Sequence, residues 1–120
     1  MISDYFNEVE RRIAETKIIV EREIDYKGFG SDEGMIRGEL LFINGYVLEF
    51  MEYISKEERP KYRFHLMDKG GKMIFRYDNA PHHKVPTFPY HKHLPGGVKE
   101  SKEKRIIEVL KEIEMLVLKI

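Results

Sequence analysis

"KYRFHLMDKGGKMIFRYD", residues 61–78, alternates large apolar and polar side chains on both sides of a glycine pair. Successive side chains of a strand point to opposite faces, so this alternation marks a half-covered strand. Lys61–Met67 and Lys72–Asp78 therefore read as two antiparallel strands joined by "DKGG" (68–71). Pairing Leu66 with Met73 and Phe64 with Phe75 places Tyr62, Phe64, Leu66, Met73, Phe75 and Tyr77 on one face. Lys61, Arg63, His65, Arg76 and Asp78 then share the other face, with Ile74 the apolar exception. A slip of one residue would set Arg76 opposite Phe64 on the face to be buried, which the cost of desolvating a guanidinium forbids.

The neighbouring segments extend this sheet. Ile2, Phe6, Val9 and Ile13 recur at helical spacing, with Ser3 or Asp4 as the expected cap. From about Lys17 the period becomes two, with Ile18, Val20, Ile24 and Tyr26 set against Glu21, Glu23 and Asp25. "KGFGSDEG" (27–34) is a loop. Met35–Ile43 and Tyr46–Ile54 form a hairpin around Asn44-Gly45, a type I′ signal that pairs Ile43 with Tyr46 and sends Glu39 and Glu49 to opposite faces. "SKEERP" (55–60) is a polar connection. Four prolines, Pro81, Pro86, Pro89 and Pro95, predict a long loop over residues 79–97. Ser101–Ile120 reads as a helix with Ile106, Ile107, Leu110, Ile113, Val117 and Ile120 on its apolar side. The expected fold is one α+β domain over residues 1–120: a single-layer antiparallel meander of about five strands, with the N- and C-terminal helices packed on one face.

Composition narrows the function classes. The 120 residues are 42% apolar and 35% charged, a globular balance with a highly charged surface. With no cysteine there is neither a disulfide framework nor a thiolate zinc site. No apolar run approaches the roughly 18 residues of a membrane span, and residues 1–8 lack the basic and apolar regions of a signal peptide, so a cytoplasmic, non-membrane protein is expected. The absence of glutamine, with only three asparagines and many Glu and Lys, is a thermophile-like composition. Net charge is zero, but residues 1–60 carry 8 basic and 14 acidic side chains while residues 61–93 carry 7 and 2. The zero net charge argues against nucleic acid, but a local cationic field can bind phosphate even on a neutral protein; the plainer reading is that charge segregation is common by chance in short segments.

The same basic region holds "RYDNAPHHKVPTFPYHKH" (76–93), with four of the five histidines. Three readings of that histidine-rich loop compete. His91 and His93, two residues apart, point the same way on an extended chain and can hold a metal, with His82, His83 or Asp78 completing the set. Alternatively, His83, His91 and His93 act as acid–base groups with Asp78 orienting them, while Arg63 and Arg76 grip a phosphate by forked hydrogen bonds. The plainest reading is a rigid surface loop in which histidines cap backbone carbonyls. Tyr77, Phe88 and Tyr90 fit base stacking, although aromatics beside prolines commonly pack a loop down. Asp78-Asn79 equally suits a turn before a proline. No GxGxxG, Walker or HExxH pattern occurs.

"RYDNAPHH" (76–83) followed by "TFPYHKH" (87–93) resembles the motif of the TumE family, small toxins of prokaryotic toxin–antitoxin systems. The resemblance implies a growth-inhibiting protein neutralised by a cognate antitoxin, itself a helix-turn-helix protein. The motif positions are Arg76, Tyr77, Asp78, Asn79, Pro81, His82, His83, Thr87, Phe88, Pro89, His91, Lys92 and His93. By analogy with other small prokaryotic toxins, the expected target is RNA and the expected activity that of a ribonuclease. The catalytic candidates are His83, His91, His93, Asp78 and Arg76, and the substrate-binding candidates Arg63, His65, Tyr77, Asn79, His82 and Lys92. His91 and His93 are the metal candidates; no cofactor is assigned, and a divalent transition metal and a homodimer stay open. A non-catalytic protein-interaction module and a metal-dependent phosphodiesterase are the alternative functions.

Overall fold

The computed structural model describes residues 1–56, 58–81 and 85–119. Helix α1 (Ile2–Glu15) leads into β1 (Ile19–Gly28), β2 (Glu33–Phe42), β3 (Val47–Ser55), β4 (Glu58–Met67) and β5 (Met73–Asp78). Two short strands follow, β6 (His91–Leu94) and β7 (Gly97–Glu100), before helix α2 (Ile106–Leu118). All seven strands form one antiparallel sheet in sequence order, β1 to β7. The architecture is the expected α+β meander with seven strands in place of five.

Both helices lie on one face. Ile2, Val9 and Ile13 of α1 and Ile106, Val109, Leu110 and Ile113 of α2 are buried in the same core as Ile36, Leu40, Leu48, Phe50, Tyr62, Phe64, Leu66, Phe75 and Tyr77 of the sheet. Two polar contacts fix where each helix sits. The Tyr5 hydroxyl of α1 lies 2.8 Å from both carboxylate oxygens of Glu52 on β3. The Tyr77 hydroxyl of β5 donates to Glu112 Oε1 of α2 at 2.6 Å. Gly38 sits where a β-carbon would lie 2.7 Å from the Phe50 ring, so only glycine lets that ring cross β2 on the covered side.

Turn geometry alters the expected registers. Phe64 faces Tyr77 and Leu66 faces Phe75, two residues from the pairing predicted above. One step comes from a longer turn: Asp68 N–H donates to the Lys72 carbonyl, while Asp68 Oδ1 accepts from Gly70 and Lys72 at 2.8 and 3.0 Å. The second comes from a bulge between Leu66 and Met67. Two single steps restore parity beyond the bulge, so Tyr62 to Leu66 and Phe75 to Asp78 keep their predicted faces, while Met73 pairs with Met67 and Ile74 packs against the core, both contrary to the expectation. In the β2–β3 hairpin the turn spans three residues, with Phe42 N–H on the Tyr46 carbonyl and Gly45 at φ +91°, not the two-residue type I′ turn. That single step, with no bulge, sets Glu39 opposite Glu49 on the same face, not on opposite faces.

Three further expectations change. Helix α1 begins at Ile2, so Asp4 lies inside its first turn and neither Ser3 nor Asp4 is the cap. Strand β4 begins within the presumed connection at Glu58, where Pro60 is tolerated because the β3–β4 register shifts between Tyr53 and Ser55. The proline-rich loop is shorter than expected, since Pro89 precedes β6 and Pro95 occupies the β6–β7 turn. Residues 97–100 thus belong to the sheet, and α2 starts at Ile106, five residues later than Ser101.

Among the described residues, the covered face contains one buried ion pair. Arg59 Nε donates to Glu52 Oε2 at 2.9 Å, and the two side chains are 5% and 0% exposed. Burial pushes the Glu52 carboxyl up, while Arg59 and the Tyr5 hydroxyl oppose that push and favour the ionised form. Removing one member leaves an uncompensated buried charge, so Arg59→Met should destabilise the fold by about 3–5 kcal/mol. Adding Glu52→Gln, which keeps an acceptor for Tyr5, should recover most of that loss in urea unfolding. Equal losses in the single and double variants would show that the buried charge is not what matters.

Candidate functional site

Cross-strand pairing builds the open face of the sheet as two rows. One runs Glu23, Glu39, Glu49, His65, Arg76 and His93 across β1 to β6. The adjacent row runs Asp25, Arg37, Met51, Arg63, Asp78, His91 and Glu100 across β1 to β7. Carboxylates dominate the β1–β3 end, and histidines and arginines gather over β4–β6. An open groove of about 790 Å³ follows the acidic part and ends at Arg63, beside Asp78 in the second row.

Asp78 closes β5. Its Oδ1 accepts from the Ala80 N–H at 3.0 Å, a local turn that ends the strand and fixes the carboxylate. His91 opens β6 directly opposite. Its Nε2 lies 2.7 Å from Asp78 Oδ1 and 3.0 Å from His93 Nε2. His93 Nε2 lies 3.4 Å from Asp78 Oδ2. The imidazole of His91 is 1% exposed and meets that of His93 edge-on. Behind the site, His91 Nδ1 lies 2.9 Å from the Pro89 carbonyl. A carbonyl only accepts, so Nδ1 donates to it, and Nε2 is the ring atom turned to Asp78 and His93.

The segment holding Pro89 is itself pinned. The Thr87 hydroxyl donates to the Tyr90 carbonyl at 2.7 Å and accepts from Ser101 N–H at 2.9 Å. Tyr90 stacks on the buried Tyr62 ring at 6.3 Å, while Phe88 stays 52% exposed. Thr87 and Pro89 are motif positions to which sequence reasoning gave no role; the Thr87 hydroxyl and the Pro89 carbonyl build the site. A backbone carbonyl has no side-chain signature, and only its seat before the His91 strand would have given it away.

Among the described residues, Arg76 and Arg63 flank the centre. Arg76 Nε stands 3.4 Å from Asp78 Oδ2, at ion-pair distance but without hydrogen-bond geometry. Arg63, exposed, faces Asp78 across the β4–β5 pairing. His65 lies opposite Arg76. Burial lowers its pKa, Arg76 lowers it further, and Glu49 pulls the other way more strongly than Arg63 adds.

Thus the structure brings together Asp78, His91 and His93, with Arg76, Arg63 and His65 beside them. Three other candidates lie elsewhere. Tyr77 points to the helix side and is 4% exposed. Lys92, on the same side, donates to Glu112 Oε2 at 2.9 Å and sits over the Phe75 and Tyr77 rings. Asn79 extends the β4–β5 pairing, accepting from Tyr62 N–H at 3.0 Å and donating to the Arg59 and Pro60 carbonyls. His82 and His83 lie outside the described residues.

Fold and site define a class: a small α+β domain whose open sheet face carries a buried histidine–carboxylate centre flanked by arginines. The family model described as Toxin TumE matches residues 9–117, and the chain belongs to that family. It is thereby the toxin of a toxin–antitoxin pair, with an antitoxin as its partner. No curated protein and no solved structure matches the chain. No helix among the described residues is long and apolar enough to cross a membrane.

The surroundings of His65 set an NMR expectation. Its imidazole should titrate below the ordinary histidine value of about 6.5, and Arg76→Gln should move the midpoint upward by removing a neighbouring cation. An unmoved midpoint in a folded variant would mean that Arg76 does not act on His65 across the strand pair.

Proposed function

We propose that this toxin arrests growth by breaking phosphodiester bonds of RNA on the open face, at Asp78, His91 and His93. The observation that carries this reading is the meeting of one carboxylate and two imidazole Nε2 atoms between two arginines. Phosphoryl chemistry needs a group that takes a proton from the attacking oxygen, a donor for the leaving oxygen, and cations for the charge gathering on the phosphate. The centre supplies titratable nitrogens and a fixed carboxylate. Arg63 and Arg76 supply planar guanidinium groups suited to phosphate oxygens. Phe88, exposed on the loop before β6, offers a stacking surface for a base. The antitoxin in this reading is a helix-turn-helix protein that covers this face.

Expression of the chain without its antitoxin should arrest bacterial growth, and Asp78→Asn should restore growth at equal soluble protein level. With purified protein, the same variant should cut RNA about 100-fold more slowly or worse. Arg63→Ala should weaken RNA binding and lower the slope of log affinity against log salt by about 0.7 to 1, one released counterion. Should folded wild-type protein neither bind nor cut RNA at low salt, the open face is better read as a docking surface for a protein, and the catalytic reading falls.

A further inference from the structure

We infer that Asp78, His91 and His93 form a binding site for one first-row divalent transition ion, such as zinc, manganese or nickel. His91 Nδ1 is engaged by the Pro89 carbonyl, which leaves Nε2, 2.7 Å from a carboxylate oxygen, as the ring atom placed to ligate an ion in exchange for any proton it carries. His93 Nε2 approaches that same nitrogen at 3.0 Å. Three potential ligand atoms thus converge in a nearly buried place. A shared proton serves one pair of atoms along one line. A metal ion serves all three at once.

The spacing fits an ion. Ligand bonds of about 2.1 Å place neighbouring donor atoms about 3.0 Å apart on an octahedral face and about 3.4 Å apart in a tetrahedron. His91 Nε2 stands 2.7 Å from Asp78 Oδ1 and 3.0 Å from His93 Nε2, His93 Nε2 stands 3.4 Å from the second oxygen, Asp78 Oδ2, and one ligand atom from each residue lies within 4.8 Å of the others. The supporting shell has the form that metal-bound histidines require: His91 gives its other ring N–H to a backbone carbonyl, which fixes tautomer and ring orientation. Ala80 N–H holds one oxygen of Asp78, and Arg76 stands by the other. Two imidazoles with a single carboxylate select a transition ion over magnesium or calcium, which prefer all-oxygen shells. Three protein ligands also leave positions open for water and for a phosphate oxygen.

The catalytic use of the ion rests on the RNA reading above, with the two imidazole Nε2 atoms as ligands in place of acid and base; its binding does not. In that use the water oxygen forms the new bond to phosphorus, the bond from phosphorus to the leaving oxygen breaks, and a water proton ends on that oxygen. The 2′-hydroxyl takes no part, so a 2′-deoxy nucleotide at the cut site should still be cleaved.

The test uses the full chain without a histidine tag, stripped by chelator and titrated with zinc, manganese or nickel in a calorimeter. Cobalt is used in parallel, because its visible spectrum reports nitrogen and oxygen ligation. One equivalent should bind. His93→Asn and Asp78→Asn should each weaken binding by at least about 100-fold, more than losing an outer partner costs, while Arg11→Ala, whose exposed side chain lies on α1 over the other face of the sheet, should bind as wild type does. His91→Gln is a second ligand variant, with circular dichroism checking that each variant is folded. No binding by folded wild type, or binding unchanged in His93→Asn, overturns the site. Metal binding without RNA cleavage leaves the site standing and removes the RNA reading. RNA cleavage undiminished in excess chelator, by protein shown to hold no metal, does the reverse.

Discussion

A sheet covered on one face only obeys one rule: shifts between neighbouring strands must keep apolar side chains on the covered side. That parity governs this molecule. The longer turn at Asp68 and the bulge before Met67 each displace β4 against β5 by one residue, and together they return Phe64, Leu66, Phe75 and Tyr77 to the helices. The same pairing then delivers Arg63, His65, Arg76 and Asp78 to the open side. When β6 adds to β5, His91 must face Asp78 and His93 must face Arg76. The candidate site is therefore a consequence of register, and a one-residue slip anywhere from β4 to β6 would scatter it.

The two faces treat charge differently. On the covered side, Glu52 and Arg59 are enclosed with Tyr5, and each satisfies the other, so their work is to fix where α1 crosses the sheet. On the open side, Asp78 faces two imidazoles with arginines nearby, and its partners exceed what one carboxylate needs for structure alone. The first arrangement is closed and neutral. The second gathers more ligating and cationic groups than the fold uses, which is the usual condition of a site built for another molecule.

Charge along the chain gave an incomplete picture of charge in space. The basic stretch of residues 61–93 promised a broad cationic surface. Lys92 instead turns inward to Glu112, and Lys69 and Lys72 stand at the β4–β5 turn. Arg63 and Arg76 remain at the centre. The open groove beside them carries Glu23, Asp25, Glu39 and Glu49. The face is thus polarised from acid to base across its strands, with Asp78, His91 and His93 toward the basic end.

The sequence alone determined the fold class, the first five strands, both helices and the face of nearly every side chain from 61 to 78. These follow from a period of two or of 3.6, which local chemistry enforces. It also drew attention to residues 76–93, because clustered histidines and the family motif need no structure to be seen. It did not reveal β6 and β7. Four-residue strands flanked by Pro89 and Pro95 carry no periodic signal, and prolines next to a strand look the same in sequence as prolines that prevent one. Only tertiary structure decided that His91 would meet Asp78, that Pro89 would lend its carbonyl, and that Lys92 and Tyr77 would turn to the helices. Those outcomes depend on which edge β6 joins and in what register, a choice made by hydrogen bonds to β5 and by burial against α2, between residues far apart in the chain.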